Sequence, residues 1–130
     1  MIILVHPSDV CQEWPAIARY IEDAMKLCRV ETPEDLMRAC SEDKAQLWID
    51  EYRNAAAVSF VIQGRERVLQ VVALGGNEMS RWLASMVSEW RTFARSNGCS
   101  AVVASGRKGW ERMFREYGVV QTAISGVMEV

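Results

Sequence analysis

The residues here whose types could do chemistry are a carboxylate pair, one histidine, four cysteines and a run of cations. Asp50 and Glu51 stand side by side in Leu47–Tyr52, a segment that alternates with a period of two. A carboxylate becomes a general base when burial or a partner brings its pKa toward neutrality. From the sequence alone these two read as solvated strand carboxylates. His6, the single histidine, has no obvious partner for catalysis and reads as a turn residue at a strand end. Cys11, Cys28, Cys40 and Cys99 are widely spread and contain no C-x-x-C pair. With one histidine beside them, no metal site is expected. Three of the four sit on apolar helix faces or beside an apolar strand, so they read as reduced thiols of the core. Cys99 would be a nucleophile only with a base beside it. Arg107, Lys108, Arg112 and Arg115 are the densest cationic set, and Arg112 and Arg115 share one helix face at i, i+3. Glu111 and Glu116 dilute the charge. That leaves two readings, a solvated amphipathic helix or a basic contact to a protein partner or anionic ligand.

The elements that must position these residues follow from periodicity. Met1–Val5 is an apolar, β-branched opening strand, and His6-Pro7-Ser8-Asp9 turns the chain. A helix follows to about Leu27, with a break into two pieces expected at Pro15, which prefers a first helical turn. Thr32-Pro33-Glu34-Asp35 is a helix start: N-cap threonine, proline at the first position, acids in the first turn. Leu36, Met37 and Cys40 give that helix a small buried face. Leu47–Tyr52, Ala55–Gln63 and Val68–Leu74 then read as three strands of an antiparallel meander, with Arg53-Asn54 and Gly64–Arg67 as the turns. Gly75-Gly76 ends the third.

The most regular stretch comes next. Trp82, Leu83, Met86, Val87, Trp90, Phe93 and Ala94 line one face of a long helix, with Asn77 or Ser80 as its expected cap and Gly98 as its stop. Ala101–Ala104 is a short apolar strand of the doubly buried kind. A basic, aromatic-rich helix from about Trp110 to Tyr117 and a closing strand from Val119 complete one domain over residues 1–130. The class is therefore α/β, or α+β, with a mixed central sheet, an antiparallel meander and about four flanking helices.

Composition narrows function without choosing one. The 130 residues are 50% apolar and 25% charged, with a formal net charge of −2. That balance suits a soluble domain and gives no reason to expect nucleic-acid binding. The apolar opening is too short for a signal peptide or a membrane span. Five tryptophans and seven methionines fill core and interface. Trp110 reads as a core anchor, whereas Trp14 and Trp48 are open, and an exposed tryptophan would point to a protein interface.

The element order resembles that of the GNAT superfamily of N-acyltransferases over nearly the whole chain. Asn97-Gly98-Cys99 before an apolar strand is similar to the segment after that family's central helix. Arg107–Val119 is similar to its helix that ends in a Gly-Phe pair, with Gly118-Val119 in that place. The GR-x-GW-x-R pattern of Gly106, Arg107, Gly109, Trp110 and Arg112 resembles small GNAT-like proteins of tailed bacteriophages and prophages, found among virion and morphogenesis genes. The resemblance implies an acetyl-coenzyme A site where backbone N–H groups cradle a pyrophosphate at the start of the central helix. Here the sequence departs from it. The Q/R-x-x-G-x-G/A glycine places fall on Asn77 and Met79, Gly75 and Gly76 come too early, and Glu78 puts a negative charge where phosphate would sit. The tyrosine that protonates the departing thiolate aligns with Phe114, with Tyr117 three positions on.

Two expectations result. The first is a catalytically silent GNAT-like phage or prophage protein that needs no cofactor and binds protein partners. Those would be phage structural proteins or further copies of itself, in the bacterial cytoplasm or the virion, contacted through Arg107, Lys108, Arg112 and Arg115. The second is an active N-acetyltransferase using acetyl-coenzyme A, with Gly75, Gly76, Asn77 and Glu78 at the cofactor, Glu51 as base and Tyr117 or water as acid.

Overall fold

The computed structural model describes residues 1–26, 31–104 and 115–121. Six strands form one sheet in sequence order: β1 (Ile2–Leu4), β2 (Gln46–Asp50), β3 (Ala55–Gln63), β4 (Arg67–Gly76), β5 (Ala101–Ala104) and β6 (Val120–Gln121). The first four pair antiparallel, and β5 and β6 join parallel. Helices α1 (Val10–Ala24) and α2 (Pro33–Ser41) precede β2, and α3 (Leu83–Ser96) makes the crossover from β4 to β5. The meander, the crossover and the mixed sheet match the expected class. Of the expected fourth helix, Arg115, Glu116 and Tyr117 fall among the described residues; the first two are helical and Tyr117 lies in a turn.

Two apolar layers sandwich the sheet. On one face α3 sets Leu83, Met86, Val87, Trp90 and Ala94 against Trp48, Ala57, Leu69 and Val71. On the other, α1 and α2 pack Trp14, Ile17, Ile21 and Leu36 against Leu47, Ile49, Ala56 and Val58. The spacing of these positions dictates the arrangement, since apolar residues three and four apart give each helix a single stripe to bury. Full burial of Ile17 and Ile21 stabilises the domain by about 1.5–3 kcal/mol each.

Several local expectations change. The α1 helix runs unbroken through Pro15, with a separate 3-10 turn at Pro7–Asp9 before it. An interior proline removes a hydrogen bond to residue i−4, here Cys11, which lies at the surface where water can serve its carbonyl. Strand β2 stops at Asp50, so Glu51 and Tyr52 lie in the turn. Cys11 is exposed rather than in the core, while Cys40 is buried and Cys99 is half-buried; all three are free thiols. Burial pushes the Cys40 thiol up to about 12, which keeps it protonated and inert near neutrality. Trp14, Trp48, Trp82 and Trp90 are all buried, so none offers an exposed indole. Cys28 and Trp110 lie outside the described residues.

One irregularity shapes the end of β4. Val58 pairs with Ala73 but Ser59 pairs with Val71, which leaves Val72 as the extra residue of a β-bulge. The extra residue reverses the alternation. Leu69, Val71 and Leu74 therefore face α3, while Ala73 faces α1. Beyond the bulge, Gly75 arrives directly beneath α1.

Candidate functional site: the loop after the fourth strand

The pairing of β4 with β5 runs from Val68 to Val71, and β4 then continues to Gly76. A parallel pair that separates in this way leaves room at the C-terminal ends of its strands. Residues 105–114, which follow β5 in the chain, lie outside the described residues.

The Gly75–Trp82 loop is tightly engaged. A Cβ on Gly75 would lie 2.7 Å from the Tyr20 carbonyl oxygen, and one on Gly76 would lie 2.5 Å from that of Asn54. Both glycines are thus required by close backbone approach, one to α1 and one to the start of β3. The Asn77 amide donates to the Asn54 carbonyl at 2.8 Å, the Arg81 amide to Glu78 at 2.9 Å and the Trp82 amide to Met79 at 3.2 Å. The buried Trp82 indole donates to the Asn77 carbonyl at 2.7 Å. Glu78 adopts a left-handed conformation (φ 52°), and its exposed carboxylate pairs with Arg81 at 3.4 Å. A 3-10 turn, Met79–Arg81, precedes α3, whose N-cap is Trp82. Neither Asn77 nor Ser80 caps that helix, and α3 has no side-chain cap bond. The Asn77 side chain instead reaches Tyr20, donating to its phenol oxygen at 3.2 Å.

Tyr20 is the centre of a knot that sequence reasoning counted only as a core position. Its phenol accepts from Arg19 at 2.8 Å and from Asn77, and donates to the Arg53 carbonyl at 3.1 Å. Arg53, in a left-handed turn (φ 58°), forms a two-pronged ion pair with Glu13, at 3.2 and 2.7 Å, and also donates to the Glu51 carbonyl. The helical spacing of Tyr20 marked its burial. Nothing local marked the three segments it ties.

The other predicted site residues are scattered. The Glu51 carboxylate accepts from the Met1 ammonium at 2.7 Å, a contact that raises the pKa of that amine. Asp50 is buried and holds its own turn, accepting from the Tyr52 and Asn54 amides at 3.2 and 3.4 Å. Tyr117 is half-buried and packs against the α3 core. His6 accepts from the Ser8 amide in its turn. Arg115 is exposed, whereas Arg107, Lys108 and Arg112 lie outside the described residues. Two small cavities flank Asn77. One of about 180 Å³ lies between α1 and the end of β4, and one of about 170 Å³ lies beside Asp50, Tyr52 and Trp82. Each is below the roughly 300–1,000 Å³ of ordinary small-molecule sites. Among the described residues, no three His, Cys, Asp or Glu side chains converge on a metal position, and no helix is long and apolar enough to cross a membrane.

Comparison with solved structures identifies the scaffold. The chain is similar to glucosamine-6-phosphate N-acetyltransferase from Arabidopsis thaliana, at 12% identity and a TM-score of 0.59 over 96% of this chain and 94% of that one. The ribosomal-protein-alanine N-acetyltransferase of Brucella melitensis biovar Abortus gives 14%, a TM-score of 0.61, and 96% and 92%. An aminoglycoside N-acetyltransferase in complex with coenzyme A gives 10%, a TM-score of 0.64, and 95% and 90%. The fold is that of the GNAT N-acetyltransferases. No protein-family model and no curated protein matches the sequence. At these identities the GNAT likeness is one of architecture, and a shared scaffold carries many functions. The chemistry has to be argued from the loop itself.

Proposed function

We propose that this GNAT-like domain does not transfer acyl groups and works by binding protein. The single observation that carries the reading is the use made of Gly75 and Gly76. In a phosphate cradle, glycines let a ligand approach free backbone N–H groups. Here the space above Gly75 is filled by the Tyr20 backbone, and that above Gly76 by Asn54 and Ala55. The amides of Asn77, Arg81 and Trp82 already have carbonyl partners, and the Trp82 indole draws the loop inward. Glu78 adds a carboxylate at that place, offset in part by the Arg81 guanidinium paired with it. These residues do not fit acetyl-coenzyme A. The GR-x-GW-x-R pattern of Gly106–Arg112, similar to that of small GNAT-like phage proteins, makes a phage structural protein the proposed partner. The cytoplasm of a bacterial host or the virion is then the place of action.

The test is calorimetric titration with acetyl-coenzyme A and with free coenzyme A, alongside thermal melts. The expected result is no saturable heat and no rise in melting temperature at millimolar cofactor. Saturable micromolar binding would overturn the reading and return the chain to the acetyltransferase class, with Glu51 and Tyr117 as the first residues to substitute.

A further inference from the structure

Arg91 and Arg95 lie four residues apart on α3, so their side chains share one face of the helix. The positions three and four away from each hold Val87, Ser88, Thr92, Ala94, Gly98 and Cys99, besides each other. No acid is within helical reach. Among the described residues neither arginine forms an ion pair, although five other ion pairs are present. Arg91 crosses to the C-terminal part of the chain. Its Nη2 would lie 2.6 Å from a Cβ at Gly118, whose left-handed backbone (φ 73°) and missing side chain make room for the guanidinium. The Gly118 amide donates to the Arg115 carbonyl at 3.1 Å, which brings the exposed Arg115 to the same neighbourhood. Two segments far apart in sequence thus bring Arg91 and Arg115 to the neighbourhood of Gly118, with Arg95 one turn along α3 and Glu116, beside Arg115, as the nearest carboxylate in sequence among the described residues. Like charges at i, i+4 cost a helix a few tenths of a kcal/mol, and the chain as a whole is negative, at −2.

We infer that Arg91, Arg95 and Arg115 form a docking surface for an acidic segment of a protein partner, one that presents Asp or Glu side chains to the guanidiniums. This deepens the protein-binding reading above and rests on it. Charge complementarity selects the occupant. Guanidiniums recognise carboxylates through paired N–H donors. The surface is separate from the Gly75–Trp82 loop. It would steer association and confer salt sensitivity more than it would set total affinity.

The probe is a fluorescein-labelled oligoglutamate peptide, titrated by anisotropy at low and at physiological salt with the full chain. Two double variants of equal charge are compared, Arg91→Glu/Arg95→Glu on the proposed surface and Arg65→Glu/Arg67→Glu on the β3–β4 hairpin. Circular dichroism verifies that both fold. The expected result is salt-sensitive binding that falls about tenfold or more in the first variant and less than about twofold in the second. Absence of peptide binding, an equal loss in both variants, or tighter binding of an oligonucleotide than of the peptide would overturn the inference. Coenzyme A is titrated in parallel. If it stays silent while the peptide test fails, the docking surface falls and the protein-binding reading stands. If coenzyme A binds and Arg91→Glu/Arg95→Glu weakens it, both fall together.

Discussion

Gly75 and Gly76 illustrate how one residue type can be read for two purposes. Next to a helix start, a glycine pair invites comparison with a phosphate cradle. The structure gives it a packing purpose, because α1 and the start of β3 press directly on its backbone. A side chain at Gly75 would have to displace the Tyr20 carbonyl oxygen, an atom held in the body of α1. We therefore expect Gly75→Ala to destabilise the domain by about 1–3 kcal/mol, the usual range for overpacking. Gly64→Ala in the β3–β4 hairpin meets only the Glu66 carbonyl oxygen at 3.8 Å and should stay within about 0.5 kcal/mol. Urea denaturation of the two variants checks the contrast. Equal, small effects would mean that the helix yields to the side chain and that the close approach does not require glycine. The same contact makes Gly76 a poor place to test cofactor binding, since any larger side chain there disturbs the fold first.

At the scale of the element, legibility followed locality. The start of α2 was readable because every interaction that makes it lies within four residues. Thr32 accepts from the Asp35 amide at 3.2 Å, Asp35 accepts from the Thr32 amide at 2.9 Å, and Pro33 follows the cap. The start of α3 was misread because the Asn77 side chain is used 57 residues away, on Tyr20. The Val72 bulge and the left-handed Glu78 were equally invisible, as neither has a residue type that demands it. The cationic run from Arg107 to Arg115 was legible as a charge pattern, although only Arg115 of it falls among the described residues. Its α3 counterparts, Arg91 and Arg95, were missed because apolar periodicity dominated that stretch. The α2 capping box makes a pH prediction with a definite sign. Hydrogen bonds from the backbone and side chain of Thr32 hold the Asp35 carboxyl below its ordinary value of 3.8. A depressed folded-state pKa adds stability that is fully present above the unfolded value and disappears as pH falls through the folded one. Asp35→Asn should therefore lower the melting temperature at neutral pH, and the gap to the parent should close below about pH 3.8. A gap that persists unchanged in acid would show that the ionised carboxylate is not what holds the cap. Thr32→Ala should cost about 1 kcal/mol at neutral pH.

Across the whole molecule, the end of the sheet that holds the loop is unlike the opposite end. At the loop end three distant segments converge. Glu13 of α1 grips Arg53 in the β2–β3 turn, Arg53 reaches the Glu51 carbonyl, and Tyr20 joins that turn to Asn77 after β4. At the opposite end, the hairpin Gly64–Glu66 is exposed and tied mainly to itself. A domain that had to admit a ligand at the loop would keep that region among its least stable parts, because opening must be cheap there. The clamp implies the reverse, a loop held about as firmly as the core around it. Arg53→Ala tests this, since it removes one side chain that bridges segments 40 residues apart. The Glu13–Arg53 pair is partly exposed, so the loss should be on the order of 1–2 kcal/mol. Amide hydrogen exchange should accelerate together in the first turns of α1, in residues 50–54 and in Gly75–Trp82, while α2 keeps its protection. Acceleration confined to the turn around residue 53 would mean that the three segments are independent. In that event the closed loop would rest on Tyr20 and the Trp82 indole alone, and a ligand-driven opening would again be energetically accessible.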